Sequence, residues 1–171
     1  MKCPVCGYEN IPGADVCAEC HASLMQEDNP TPATEAHHSI MIDLISDLQP
    51  RPPITVSVDA SVADAINVML ENNIGCVLVT DSDGKLAGVF SETDAVRRVA
   101  GIIDDLAAVS VEELMTPRPS TLPADVPIAH ALHLMGLHGF RHVPLVDAAG
   151  RPTGVISSRD IVRFIEENFA P

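Results

Sequence analysis

The stretch Gly154-Val155-Ile156-Ser157-Ser158-Arg159-Asp160 has a near copy upstream, Gly88-Val89-Phe90-Ser91-Glu92-Thr93-Asp94. Each reads as a short apolar strand ending on a hydroxyl, with a carboxylate three residues later where a helix begins. The copies stand 66 positions apart. The same shift lays Leu48 on Leu114, Pro53 on Pro119, Thr55 on Thr121 and Asp59 on Asp125. It also lays Ala65 on Ala131, Met69 on Met135, Asp81 on Asp147 and Gly84 on Gly150, without a gap. Self-similarity at a fixed period means one supersecondary unit used twice.

Around the first copy, the prolines at 50, 52 and 53 stop any helix begun in Ile40 to Leu48. Thr55 to Val58 reads as a strand. Ser61 starts a helix, with Asp64 placed for a capping box. Val62, Ala65, Ile66, Met69 and Leu70 have the spacing of one buried helical face. Cys76 to Val79 is a buried strand and Asp81-Ser82-Asp83-Gly84 a hairpin turn. Lys85 to Phe90 is the returning strand, and a second helix runs from Ser91 to Ala100. The second copy repeats the order. It has a strand at Ser120 to Leu122, a helix face of Ile128, Ala131, Leu132 and Met135, and strands at His142 to Val146 and Pro152 to Ile156. A helix from Ser157 to Asn168 closes it. A β-α-β-β-α unit is too small to close a core alone, so the fold class is α+β, with two units packed as a pseudo-twofold pair that buries the central strands.

The chain has 171 residues, enough for one ordinary domain and a small appendage. Aromatics make up 3% with no Trp, so the core is aliphatic. A formal charge of −14 repels phosphate backbones and anionic bilayers, which argues against general nucleic-acid or membrane binding. No apolar run approaches the roughly 20 residues that span a bilayer, and the N-terminus has no apolar signal core. A cytoplasmic protein with reduced thiols is the expectation.

Four of the five cysteines fall in residues 1–24, as Cys3-Pro4-Val5-Cys6 and Cys17-Ala18-Glu19-Cys20. In each pair the two-residue gap aims both sulfurs at one centre. Four thiolates make a closed tetrahedral Zn²⁺ site with no open position for chemistry. The segment resembles the zinc-ribbon family, and the metal is expected to supply its stability. Iron on the same thiolates, or two separate redox pairs, are the alternatives. Against iron, the second pair lacks the glycine that follows Cys6, and few aromatics are present to shield it. His21 reads as a solvated neighbour. Lys2 is opposed by Glu9, Asp15 and Glu19, so the ribbon suits a protein contact or a cap better than nucleic acid. Residues 25–39 read as a flexible acidic linker, in which His37 and His38 are an exposed pair.

The strand-Asp-turn-Gly run Val143-Pro144-Leu145-Val146-Asp147…Gly150, with Gly-x-x-Ser-x-x-Asp twice over, resembles a tandem pair of cystathionine-β-synthase-type (CBS) repeats. Repeat 1 would occupy 40–104 and repeat 2 105–171. The resemblance implies a compact module that senses adenosine-containing ligands in clefts between repeats and stacks in twos as a homodimer. Ser157 sits where a strand turns into a helix, and the free N–H groups there make a phosphate site. Asp160 is placed to accept hydrogen bonds from ribose hydroxyls. By the resemblance Ser157 and Asp160 take these roles in one cleft, and Ser91 and Asp94 in the other. Ser-x-x-Asp is equally a plain capping box.

Arg141 and His142 suit a phosphate, whereas Gly75 and Cys76 at the matching places carry no charge, so the second cleft is the better equipped. Pro144 lies where the family packs the base; its counterpart is Leu78. Arg159 and Arg163 would face phosphate or pair with Glu166 and Glu167. Thr55 and Thr121 could offer backbone groups to the base. Cys76 reads as a small buried apolar side chain. The functional expectation is a regulatory module binding AMP, ADP, ATP or S-adenosylmethionine and relaying it to a protein partner that the sequence does not name. The alternative is an interaction scaffold with zinc ribbon and dimer and no nucleotide. Catalysis finds no support, since no acid/base pair converges and the metal site is closed.

Overall fold

The computed structural model describes residue 3 and residues 8–11, 14–21, 24 and 34–169. The chain divides into two units, residues 1–38 and residues 39–171. In the first, Cys3, Cys17 and Leu24 form a small buried cluster with Ala14 against it. Helix α1, Glu35–Ile42, begins inside the segment read as a linker.

The larger unit carries the duplication. Strand β1 (Thr55–Ser57) runs parallel to β2 (Cys76–Thr80), with helix α2 (Val62–Asn72) crossing between them. Antiparallel β3 (Leu86–Ser91) follows β2 through a turn in which Gly84 takes φ +74°. That left-handed conformation is the reason for glycine. Strand β4 (Thr116–Pro117) pairs with β3 and completes a four-stranded sheet. In the second repeat β5 (His142–Val146) and β6 (Pro152–Ser157) form the hairpin, with α5 (Ile128–His138) before it and α6 (Ser158–Phe169) after.

The repeats complete each other's sheets. The segment leading into repeat 2 supplies β4 to repeat 1, and Arg51, leading into repeat 1, bridges Val155 on β6. The second exchange is the smaller. In the first, Arg118 donates its N–H to the Ala87 carbonyl; the matching residue, Pro52, has no N–H to give. The conserved-in-copy glycines follow from these crossings. A Cβ at Gly88 would collide with Met115 Sδ and stand 3.0 Å from the Thr116 carbonyl, and one at Gly154 3.2 Å from the Arg51 carbonyl.

Each repeat has its own core. Val62, Ala65, Val77, Val79, Phe90 and Val111 are buried in one; Ile45, Ile128, Ala131, Val143, Leu145 and Ile156 in the other. Ile45 and Val111 are copies of one position, and each closes the core of the other repeat: Val111, on helix α4 (Val111–Leu114), lies in the core of repeat 1, and Ile45, on a 3-10 turn over Ile45–Leu48, in that of repeat 2.

Four details depart from the sequence reading. The expected strand from Ser120 to Leu122 is reduced to one parallel bridge, Leu122 to Leu145. The helix expected from Ser91 to Ala100 is a short α3 (Glu92–Asp94) running into a wide π turn over Ala95–Val99. Gly101, at φ +72°, ends it where α6 has Glu167 and continues. Leu70, assigned to the buried face of α2, is 73% exposed, and Leu132 on α5 is 38% exposed. The core needs a narrower stripe than the apolar pattern offers, and the surplus on α2 lines a crevice.

Candidate functional site

A crevice of ≈ 540 Å³ opens between the repeats. One wall is α2 and the chain after it: Ile66, Met69, Leu70, Asn73, Ile74, Gly75 and Cys76. The opposite wall is the β6–α6 junction, from Ser157 to Asp160, with Val155 beside it. Arg51, Pro52 and Ile54 lie along one edge, and Glu92, Ala95, Val96, Arg141 and His142 along the other. Apolar side chains thus face the start of a twelve-residue helix, whose first-turn N–H groups have no helical partners.

The charge of the lining is unlike that of the chain. Of ten Lys and Arg residues in a chain of formal charge −14, three (Arg51, Arg141 and Arg159) line this crevice, against two acids, Glu92 and Asp160. Such a pocket attracts an anion that the rest of the surface repels.

The Ser157–Asp160 pair is a realised capping arrangement. Asp160 Oδ2 accepts the Ser157 N–H at 2.8 Å and the Ser157 hydroxyl at 2.6 Å. Its Oδ1 accepts Arg163 at 2.7 Å. The carboxylate therefore holds the helix start and still reaches the crevice. Oδ1 has a lone pair beyond the one that Arg163 uses, and Arg163 is half-exposed, so that bond exchanges readily with another donor.

Asp94 makes the same cap, accepting the Ser91 N–H at 3.0 Å and hydroxyl at 2.6 Å. Its surroundings differ. It is 7% exposed, Thr116 donates to Oδ1 at 3.4 Å, and Arg98 lies 3.6 Å away. Arg98 also donates to the Leu114 and Met115 carbonyls, tying the π turn to the lead-in of repeat 2. A second, shallower hollow is lined by Glu92, Thr93, Val96, Arg97 and Arg141, and Asp94 is not in its lining.

His142 is half-buried at the crevice, its ring packed against Gly75. Burial holds its imidazole below the ordinary histidine range, helped by Arg141 and Arg159 and opposed by Glu92 and Asp160. Cys76 is buried, and burial, with the charge of Glu92, pushes its thiol up to about 12. A neutral thiol is a packing group, as its sequence context suggests.

Of the residues singled out from the sequence, Arg141, His142, Ser157, Arg159 and Asp160 come together on this crevice. Pro144 does not line it; it is buried within β5, opposite Val155. Thr121 and Thr55 are not in the lining either, and Ile54 stands at the edge where Thr55 was expected. Ser91 and Asp94 do not line it, and Asp94 is buried. The crevice takes α2 from one repeat and the β6–α6 junction from the other, so a reading repeat by repeat misplaces Pro144 and both threonines. Arg51, Ile66, Leu70 and Glu92 were not foreseen as lining. The shift by 66 pairs Arg51 with Pro117 and Glu92 with Ser158, so the repeat comparison itself hid them.

The sulfurs of Cys3, Cys17 and Cys20 lie within 4.8 Å of one another, with Cys3 and Cys20 3.7 Å apart. Thiolates about 2.3 Å from a common tetrahedral ion are about 3.8 Å apart, so the donor set fits a metal. Cys6 lies outside the described residues. The sequence did not signal Asn10, which is buried, accepts the Ala18 N–H at 2.9 Å and directs Nδ2 at Cys17 Sγ, 3.5 Å away. It braces the second cysteine knuckle, as outer groups do at metal centres.

Comparison with known proteins matches the CBS domain model to residues 45–101 and 111–167. The chain is 30% identical over 123 residues to the L-aspartate semialdehyde sulfurtransferase of Methanocaldococcus jannaschii, covering 72% of this chain and 23% of that protein. It therefore spans about a quarter of that relative. Among solved structures it resembles the CBS domain pair of protein MJ0100 in complex with 5′-methylthioadenosine and S-adenosyl-L-methionine, with TM-score 0.65, 30% identity and 71% and 98% of the two chains covered. It also resembles a CBS domain protein from Pyrobaculum aerophilum complexed with AMP, with TM-score 0.63, 29% identity and 68% and 88% covered. No helix among the described residues is long and apolar enough to cross a membrane. Two matched repeats 66 residues apart, each completing the other's sheet around one crevice, place this chain in the CBS-domain family, as a tandem pair.

Proposed function

We propose that the pair is a regulatory, non-catalytic module that binds an adenosyl ligand in the crevice beside Asp160 and relays its presence to a protein partner. The observation that carries this reading is that Arg51, Arg141 and Arg159 line one crevice together with the start of α6 in so acidic a chain. In it the adenine lies against Ile54, Ile66 and Leu70, the ribose hydroxyls displace Arg163 from Asp160, and phosphate or a carboxylate meets the arginines and the first-turn amides. The relatives solved with methylthioadenosine, S-adenosylmethionine and AMP support the ligand class. A thermal-shift panel of AMP, ADP, ATP, S-adenosylmethionine and methylthioadenosine on metal-replete protein tests it. A ligand at about 100 times its Kd adds about 2.7 kcal/mol to stability, a shift of several degrees for a module of this size. No shift from any of the five contradicts the proposal. The resemblance also implies that two copies associate, which sedimentation of the purified chain checks.

His142 supplies a pH signature. With its folded pKa depressed, the ligand-free protein keeps this contribution to stability above about pH 6.5 and loses it as pH falls through the folded value. An anionic phosphate beside Arg141 raises the imidazole pKa, so binding takes up a proton. Relative to His142→Asn, in which the titration of the AMP phosphate itself is the same, AMP is therefore expected to bind more tightly as pH is lowered towards about 6. Methylthioadenosine, which has no phosphate, is expected to show no such difference. An equal difference for both ligands contradicts this placement.

A second reading rests on the capping bonds of Asp160 and Asp94: both carboxylates are caps alone and the chain is an assembly scaffold. Arg163→Ala separates the two. If ribose displaces Arg163, ligand binding is unchanged or tighter; under the capping reading there is no ligand to measure.

For the N-terminal unit, Cys3, Cys6, Cys17 and Cys20 are proposed to hold structural Zn²⁺, which would supply the folding energy of a segment with so small a core. Chelation is expected to release one zinc per chain and to unfold this unit while the CBS pair stays folded. Retention of its fold after complete metal removal contradicts the assignment.

A further inference from the structure

Glu92 is the one acid that faces both hollows of the pair. It lines the crevice together with Arg141 and Val96, and the same three residues line the shallower hollow that carries Arg97. Glu92 Oε2 is 3.9 Å from the Arg141 guanidinium, which also donates to Thr93 Oγ1 at 3.3 Å. It lies 3.4 Å from where a Cβ on Gly75 would stand, so nothing separates it from the crevice edge. At the copied position of repeat 2 the chain has Ser158, which brings a hydroxyl and no charge. The crevice is thus dressed with a neutral hydroxyl at one helix start and a carboxylate at the other, and the carboxylate already occupies one of its three arginines.

We propose that Glu92 is the specificity-determining residue of this crevice. It holds Arg141 until a ligand phosphate takes its place, and its charge restricts the ligand to low negative charge: a nucleoside monophosphate or an uncharged adenosyl thioether ahead of a di- or triphosphate. This deepens the adenosyl-ligand reading and rests on it. The exposed Glu92–Arg141 pair is weak and readily exchanged, so one phosphate replaces the carboxylate at Arg141 at little cost. Each further phosphate adds negative charge beside Glu92, in a lining with three cations and two anions, within a chain of formal charge −14.

The test is calorimetric titration of methylthioadenosine, AMP, ADP and ATP into the full metal-replete chain at low salt without magnesium. The proteins compared are the unsubstituted chain, Glu92→Gln, and Glu112→Gln, which makes the same charge change at an exposed position outside both hollows. The unsubstituted protein is expected to bind AMP more tightly than ADP or ATP. In Glu92→Gln the methylthioadenosine affinity stays within about twofold, AMP tightens about threefold and ATP about tenfold. Glu112→Gln is expected to change none of them, and the gains in Glu92→Gln to shrink at high salt. ATP binding as tightly as AMP before substitution overturns the proposal, because a polyphosphate would then be reaching across to Arg97. So does a shift equal for all four ligands, an absent shift, or the same shift in Glu112→Gln. Binding of none of the ligands to the unsubstituted chain overturns the adenosyl reading itself; binding without a charge gradient overturns only the role of Glu92.

Discussion

Asp160→Ala is expected to weaken adenosyl-ligand binding at least tenfold while lowering the stability of the ligand-free module by only about 1 kcal/mol. The two effects come from different lone pairs of one carboxylate. Oδ2 holds the Ser157 amide and hydroxyl, and that cap is worth what a helix-start bond is worth. Oδ1 is held by a half-exposed Arg163, and the proposed ribose contact would replace that bond. Hydrogen bonds to a charged acceptor contribute about 1.5–3 kcal/mol each, which sets the lower bound on the affinity loss. Asp160→Asn keeps an acceptor for the cap and loses the charge, so it should spare stability and still lose ligand. Calorimetry with AMP and urea unfolding of the same samples separate the effects. A variant that loses stability and keeps its ligand shows that this carboxylate is a cap and nothing more.

Phe90→Ala is expected to destabilise repeat 1 by about 3–5 kcal/mol, the largest stability effect in the chain. Phe90 is fully buried on β3, in a core otherwise built from valines, alanine and methionines. Its buried neighbours are small and mostly β-branched, and the two methionines among them, Met69 and Met115, are the more adaptable side chains. Its copy, Ile156, is also fully buried, but truncation there removes fewer atoms and costs about 2–5 kcal/mol. Urea unfolding at unchanged m reads the difference. A loss below about 1 kcal/mol for Phe90→Ala would mean that the aliphatic core recloses around the gap. Since β3 leads straight into Glu92 and Asp94, partial loss of this core should also loosen the crevice edge.

The architecture was legible because the duplication is nearly gapless: a shift of 66 aligned turns, caps and core positions at once, and the strands and helices fell where two copies agreed. What stayed hidden lies where the copies differ or where the two repeats meet. Nothing local to repeat 1 announces that Arg51 reaches β6 of repeat 2, or that Gly75 opens space against the His142 ring. Pro144 was expected in the lining because the family packs the base at that place, yet the middle of β5 is buried throughout and Pro144 sits opposite Val155. Glu92 stands at a variable place in the repeated run, and only its two neighbours in space, Arg141 and Gly75, give it meaning. The π turn at Ala95–Val99 was likewise out of reach, since nothing local in residues 91–100 marks it, and the Arg98 bonds to the Leu114 and Met115 carbonyls that accompany it reach across to the lead-in of repeat 2.

The inequality of the two sides is the most exposed part of this account. Asp160 borders an open crevice with three arginines; Asp94 is buried under Thr116 and Arg98. Titrating AMP and S-adenosylmethionine calorimetrically into the metal-replete chain measures the consequence directly. One binding site per chain, lost in Asp160→Ala and untouched in Asp94→Asn, is the expected result. Two equivalent sites, or no heat from either compound, would contradict it.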